Sequence, residues 1–219
     1  MKVSTFCTRS EKALQELRKR ISQKNQSLIR SPVIIGIGGP GGSGKSHFAS
    51  WLQQYLGEST LLTLDDFRLP RDQRPVHAPF GSHPDAVNLA ALEEVLKTAR
   101  EGGNIYQPEF DADTGRSRPG KTHPPASILI LDGEIIAYPI LQAYLDTCIL
   151  VQSSLWTQFC TRLKRDRKHR KCSLFKTLRI FFQSNLIDYP RFGEGSSARA
   201  HLIFERHPRK GYFLRKNQL

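Results

Sequence analysis

Residues 36–46 read Gly-Ile-Gly-Gly-Pro-Gly-Gly-Ser-Gly-Lys-Ser, with six glycines in eleven positions. Inside regular structure each glycine costs about 0.5–1 kcal/mol relative to alanine, so a run this dense marks a place that requires bare backbone. Gly39 to Ser46 fits G-x-x-x-x-G-K-[ST] at every fixed position. An apolar run, Pro32 to Ile37, precedes it and suits a buried parallel strand. A helical pattern from Ser46 to Leu56 follows, with Phe48, Ala49, Leu52 and Leu56 on one side and Gly57 as its stop. In that strand–loop–helix setting the glycines let several backbone N–H groups converge on phosphate oxygens, and the helix N-terminus adds partial positive charge. Lys45 is placed for the β- and γ-phosphates and the Ser46 hydroxyl for Mg2+. Gly39, Gly41, Gly42, Ser43, Gly44, Lys45, Ser46 and the adjoining His47 are therefore the expected seat of a nucleoside triphosphate, ATP first.

The rest of the chain alternates strand-like and helix-like segments. Thr60–Leu64, Ser127–Leu131 and Thr147–Val151 read as further apolar strands, and Arg199–Phe204 as a last one. Asn88 caps a helix over residues 89–100; basic helices run from after Val151 to about residue 187. Residues 104–125 hold Pro, Gly and Asp without periodicity and read as a loop. The alternation predicts an α/β fold, a P-loop NTPase with a doubly wound, mainly parallel sheet and helices on both faces. Leu14, Leu17, Ile21 and Leu28 predict a basic N-terminal helix.

Composition narrows the function classes. Thirty-three Lys and Arg stand against twenty Asp and Glu, a net charge of +13. The basic residues fall in separate clusters at 18–24, 162–171 and 206–216 and form no continuous aromatic-interleaved stripe, which argues against nucleic acid as the main ligand. Cysteines 7, 148, 160 and 172 form no C-x-x-C pair and read as free thiols of a cytoplasmic protein. No run of 18 apolar residues suits a membrane span, and no apolar secretory segment opens the sequence. No N/T-K-x-D signature supports guanine reading, and the chain is too short for a helicase.

Two strand ends carry carboxylates. Asp65-Asp66 closes the second strand, at the sheet edge where ligands bind; either residue can accept a hydroxyl proton or hold Mg2+. Asp132 ends an apolar strand, the placement of a metal-holding Walker B carboxylate.

The ordered set Gly39–Ser46, Asp65-Asp66-Phe67, His83-Pro84-Asp85-Ala86, Leu131-Asp132-Gly133 and Arg162-x-x-Arg165-Asp166-x-x-x-Arg170 resembles the uridine kinase and phosphoribulokinase family of P-loop kinases, which also includes pantothenate kinase. The resemblance covers roughly residues 33–205. It implies ATP- and Mg2+-dependent phosphorylation of a small-molecule hydroxyl acceptor: a nucleoside, a sugar or a pantothenate-like compound. It implies Asp65 as base, with Asp66 its alternate, and Asp66 and Phe67 beside the acceptor. Asp85 would hold ribose hydroxyls, Phe110 and Asp111 would line the nucleoside pocket, and Ser46 and Asp132 would hold the metal. Arg162, Arg165 and Arg170 would belong to a basic helical lid at about 158–175 that closes over the phosphates. On this reading residues 1–30 form an N-terminal basic helix and 31–219 the kinase domain, with homo-oligomerisation left open.

Three departures bear on the acceptor. Gly115 stands where uridine kinases place a base-reading histidine, Lys171 replaces a lid glycine, and residues 188–199 do not follow the family. Arg116, Arg118 and Lys121 either suit an anionic acceptor or are plain loop charges. His77, His83 and His123 are dispersed in the sequence and predict no metal site. The alternative function is a regulatory or nucleic-acid-associated NTPase that uses the basic segments.

Overall fold

The architecture comes from a computed structural model that describes residues 8–25, 31–134, 136, 138–169, 173–193 and 195–219. A six-stranded sheet runs β2-β5-β1-β6-β7-β8. Its strands are β1 (Val33–Gly38), β2 (Thr60–Thr63), β5 (Ile128–Asp132), β6 (Thr147–Gln152), β7 (Leu202–His207) and β8 (Gly211–Asn217). The first five are mutually parallel, and β8 returns antiparallel to β7. Strands β1, β5 and β6 are apolar almost throughout because both of their faces are covered.

Alternate residues of β1 enter different cores. Val33, Ile35 and Ile37 pack with α1 (Thr8–Asn25) and α2 (Lys45–Leu56); Ile34 packs with α3 (Leu89–Arg100) and the short α4 (Pro139–Gln142). This is the expected mainly parallel sheet with helices on both faces. Helix α1 buries Ala13, Leu14, Leu17 and Ile21 in the core beside Tyr212 and Leu214 of β8. The N-terminal helix thus shares the core of the P-loop unit. Leu28 lies outside the described residues.

Two elements correct the sequence reading. Residues 104–125 are not a loop: β3 (Ile105–Asp111) and β4 (Arg116–His123) form a separate antiparallel hairpin, with Gly115 at φ 74° in its turn. Strand β8 overlaps the basic cluster at 206–216, where no strand was expected, and β7 begins three residues later than expected. Beyond β6, α5 (Leu155–His169) and α6 (Leu174–Phe181) lead into a π-helical turn over Phe182–Asp188, then α7 (Tyr189–Phe192) and α8 (Ser196–Arg199). No helix among the described residues is long and apolar enough to cross a membrane.

Candidate active site

The loop between β1 and α2 emerges at the C-terminal edge of the sheet, where β1 lies between β5 and β6. Gly44 sits at φ 97° and α2 begins at Lys45 without a side-chain cap, which leaves its first N–H groups available to an anion. The loop also receives protein from α5. A Cβ on Gly41 would lie 1.9 Å from an Arg162 guanidinium nitrogen, so a larger residue there would displace that guanidinium. Asn185 of the π-turn donates to the Gly41 carbonyl at 2.7 Å and to Gln158 Oε1 at 2.8 Å. The widened turn puts Ser184, Asn185 and Asp188 on its buried side. Ser43 is fully buried under the loop, and its hydroxyl has no hydrogen-bond partner among the described residues.

A cleft of about 660 Å3 opens beside this loop. By chain origin its lining groups into two walls: Lys45, Ser46, Asp132, Glu134, Arg162 and Arg165 come from the start of α2, the end of β5 with the residues after it, and α5, and Asp65, Arg68, Arg71, Arg74 and Phe110 from the segment after β2 and from β3. Asp132 is 5% exposed and its Oδ1 lacks a hydrogen-bond partner among the described residues. Burial pushes its carboxyl up to about 6 against the opposing pull of Lys45 and a Ser46 hydrogen bond. A buried, half-satisfied carboxylate beside a hydroxyl suits a hard, oxygen-seeking divalent cation.

Glu134, which sequence reasoning passed over, stands between two cations of this wall, Lys45 and Arg162. Its Oε1 is 3.8 Å from Lys45 Nζ and 3.7 Å from Arg162. The available signal was its place two residues beyond Asp132, in the segment that leaves β5 next to the loop.

The adjacent aspartates part company. The tight 3-10 turn Leu64–Phe67 after β2 aims Asp65 at the cleft, where it pairs with Arg68 at 2.7 Å. Asp66 turns to the hairpin, accepting from Gln107 at 2.6 Å and from the Phe110 N–H at 3.3 Å. Burial lifts its carboxyl above the usual range against those bonds. Phe67 is a core residue, buried with α3, and does not line the cleft. Asp85 is likewise absent from the wall; it is exposed and pairs with His77 at 2.8 Å. His77, His83 and Asp85 lie near enough for one metal ion, so the histidines at 77 and 83 are not dispersed in space. Phe110 lines the cleft, whereas Asp111 pairs with Arg118 and caps the hairpin turn at the Asp113 N–H.

His47 points away from the cleft and stacks on Tyr212, its Nδ1 3.1 Å from the phenol oxygen. That hydroxyl donates to the Gly44 carbonyl at 2.9 Å, so β8 braces the end of the loop. Of the lid arginines, Arg162 is already buried at 3%, while Arg165 is half-buried at the cleft and bonds Asp166 at 3.1 Å. Arg170 lies outside the described residues. Arg116, Arg118 and Lys121 are exposed on β4 and do not line the cleft.

Residues 34–211 match the Phosphoribulokinase / Uridine kinase family. A uridine kinase-like protein 4 from Arabidopsis thaliana is 27% identical over 154 residues, 68% of this chain and 33% of its own length. A uridine kinase from Lactobacillus helveticus is 28% identical over 186 residues, 80% of this chain and 87% of its own. The chain thus spans about a third of the first relative and most of the second. A solved structure described as a possible uridine kinase from Bacillus stearothermophilus superposes with a TM-score of 0.61 at 14% identity, covering 88% of this chain and 97% of that one. The loop, the strand-end carboxylate and the family match converge, and the chain belongs to the phosphoribulokinase/uridine kinase family.

Proposed function

We propose that the protein transfers the γ-phosphate of ATP to a hydroxyl of a small-molecule acceptor. The observation that carries this reading is one cleft with two kinds of lining: a phosphate-binding loop backed by the buried, half-satisfied carboxylate of Asp132, and with it a second carboxylate, Asp65.

The nucleotide phosphates lie along the Gly39–Ser46 backbone and the N-terminus of α2, with Lys45 on the β- and γ-phosphates. Ser46 and Asp132 would hold Mg2+, which would neutralise charge on the phosphates during transfer. Glu134 holds Lys45 and Arg162 in position. Asp65 accepts the proton as the acceptor oxygen bonds to the γ-phosphorus and the bond to the β-phosphate oxygen of ADP breaks. Asp66 is a poor candidate for that role because Gln107 and Phe110 occupy its oxygens. Arg162 and Arg165 stabilise charge on the transferred group.

The test is ATP consumption with Mg2+ against uridine, cytidine, pantothenate, glycerate, ribulose 5-phosphate and simple sugars, with a no-acceptor control. Turnover that depends on one acceptor is the expected result. Turnover without any acceptor, rising with RNA, would replace this reading with the regulatory NTPase.

A further inference from the structure

The features that the family resemblance assigns to a nucleoside acceptor are turned to other uses. The Arg74 guanidinium lies over the Phe110 ring, 5.2 Å from its centroid, and both residues line the cleft, so one ring face is already taken by a cation. Asp85 stands outside the cleft on His77, and Asp111 is held by Arg118.

Arginines replace them. Arg68, Arg71 and Arg74 line the cleft at three-residue intervals in the loop after β2. Each is anchored by protein. Arg68 pairs with Asp65 at 2.7 Å. Arg71 donates to the carbonyls of Ala112 and Asp113, and Arg74 to those of Leu69 at 2.9 Å and Pro79 at 3.1 Å. Gly81 makes room for the first: a Cβ there would lie 2.1 Å from Arg68 Nε. Ser82, next in the chain, is tied to Asp188 of the π-turn at 2.5 Å, which fixes the loop under the arginines.

The fit is incomplete as it stands. Arg68 Nε and Arg74 Nη2 are buried without a hydrogen-bond partner among the described residues. Burial first, then repulsion from Arg68 and Arg71, lowers Arg74 to about 10. Buried guanidinium donors without acceptors are unfavourable, and the planar fork matches a carboxylate or phosphate in two-point contact.

Resting on the kinase reading, we propose that the acceptor is an anionic hydroxyl compound, its phosphate or carboxylate seated on Arg68 and Arg74 and its hydroxyl presented to Asp65. Phe110, capped by Arg74, closes the pocket against a flat neutral base.

Matched acceptors test this directly: glycerol against glycerate and glycerol 3-phosphate, ribose against ribose 5-phosphate, and pantothenyl alcohol against pantothenate, each with ATP and Mg2+. The anionic members are expected to react with at least about tenfold higher kcat/KM. Activity confined to the phosphates or to the carboxylates names the group. A second measurement needs no turnover. With a non-hydrolysable ATP analogue and Mg2+ filling the loop, inorganic phosphate or acetate should raise Tm beyond a chloride control of equal ionic strength. Arg74→Gln should weaken that response about tenfold, Arg74→Lys should restore part of it, and Arg116→Gln should leave it unchanged. The shift from the ATP analogue reports that each variant is folded, and Arg68→Gln replaces Arg74→Gln if that shift is lost. Equal use of a neutral partner, or an anion response untouched in both arginine variants, overturns the proposal. An arginine-dependent anion response with no acceptor phosphorylated leaves the anion site standing and overturns the kinase reading instead.

Discussion

The two walls of the cleft are built on different principles. The nucleotide wall is backbone first: glycines and a helix N-terminus after β1, joined by side chains from the end of β5 and from α5. The acceptor wall is side chain first, assembled from the 3-10 turn after β2, the arginine loop, the β3–β4 hairpin and the π-turn. Backbone N–H groups recognise what all nucleoside triphosphates share. Side chains from four scattered segments are free to differ from one relative to the next. The division teaches where a family keeps its reagent and where it changes its substrate.

Substitutions on each wall separate the two. Asp65→Asn should give the largest effect, a fall of about 10²–10⁴ in turnover with ATP affinity kept. Loss of ATP affinity as well would show the walls to be one unit. Lys45→Ala should reduce turnover about 10²–10³ and weaken ATP binding too; isothermal titration beside steady-state kinetics distinguishes the patterns.

Asp132 gives the nucleotide wall a pH effect. The folded Asp132 carboxyl titrates at about 6, above its unfolded value near 3.8. Its contribution to stability is therefore complete below about 4 and is lost as pH rises through about 6. Cation binding needs the ionised form, so Mg2+ affinity should weaken about tenfold per pH unit below 6. Asp132→Asn should flatten that dependence. Mg2+ titrations at fixed ATP analogue between pH 5 and 8 check it. The smallest effect is expected outside both walls: Tyr212→Phe, which removes the brace on Gly44, should cost about 0.5–1.5 kcal/mol, a fall in Tm of a few degrees.

The glycine loop of the nucleotide wall, Gly39–Ser46, was legible in the sequence because its residues are contiguous and their spacing is fixed by phosphate geometry, whereas Glu134 on the same wall was not. The sheet was legible for a similar reason, since strands buried on both faces leave unbroken apolar runs such as Ile128–Leu131. The hairpin was not: most of the side chains on β4 are exposed, so Arg116–His123 carries no apolar alternation. Strand β8 does alternate, with Tyr212 and Leu214 buried, but the surrounding lysines and arginines mask the pattern. The acceptor wall was half legible. Asp65 and Phe110 were found, yet nothing local says that Phe67 turns into the core, that Asp85 faces solvent, or that the cleft's charge comes from Arg68, Arg71 and Arg74 rather than from β4. Those outcomes depend on contacts made across tens of residues.

The brace at Gly44 has a mechanical consequence. Ser10 of α1 donates to the Tyr212 carbonyl at 3.3 Å and accepts from the Leu214 N–H at 3.0 Å, while the Tyr212 hydroxyl holds Gly44. Tension applied between α1 and β8 thus passes through the residue that supports the nucleotide loop. Pulled there in an optical trap, the molecule should rupture at higher force when ATP is bound, because the load path and the phosphate seat share one tyrosine.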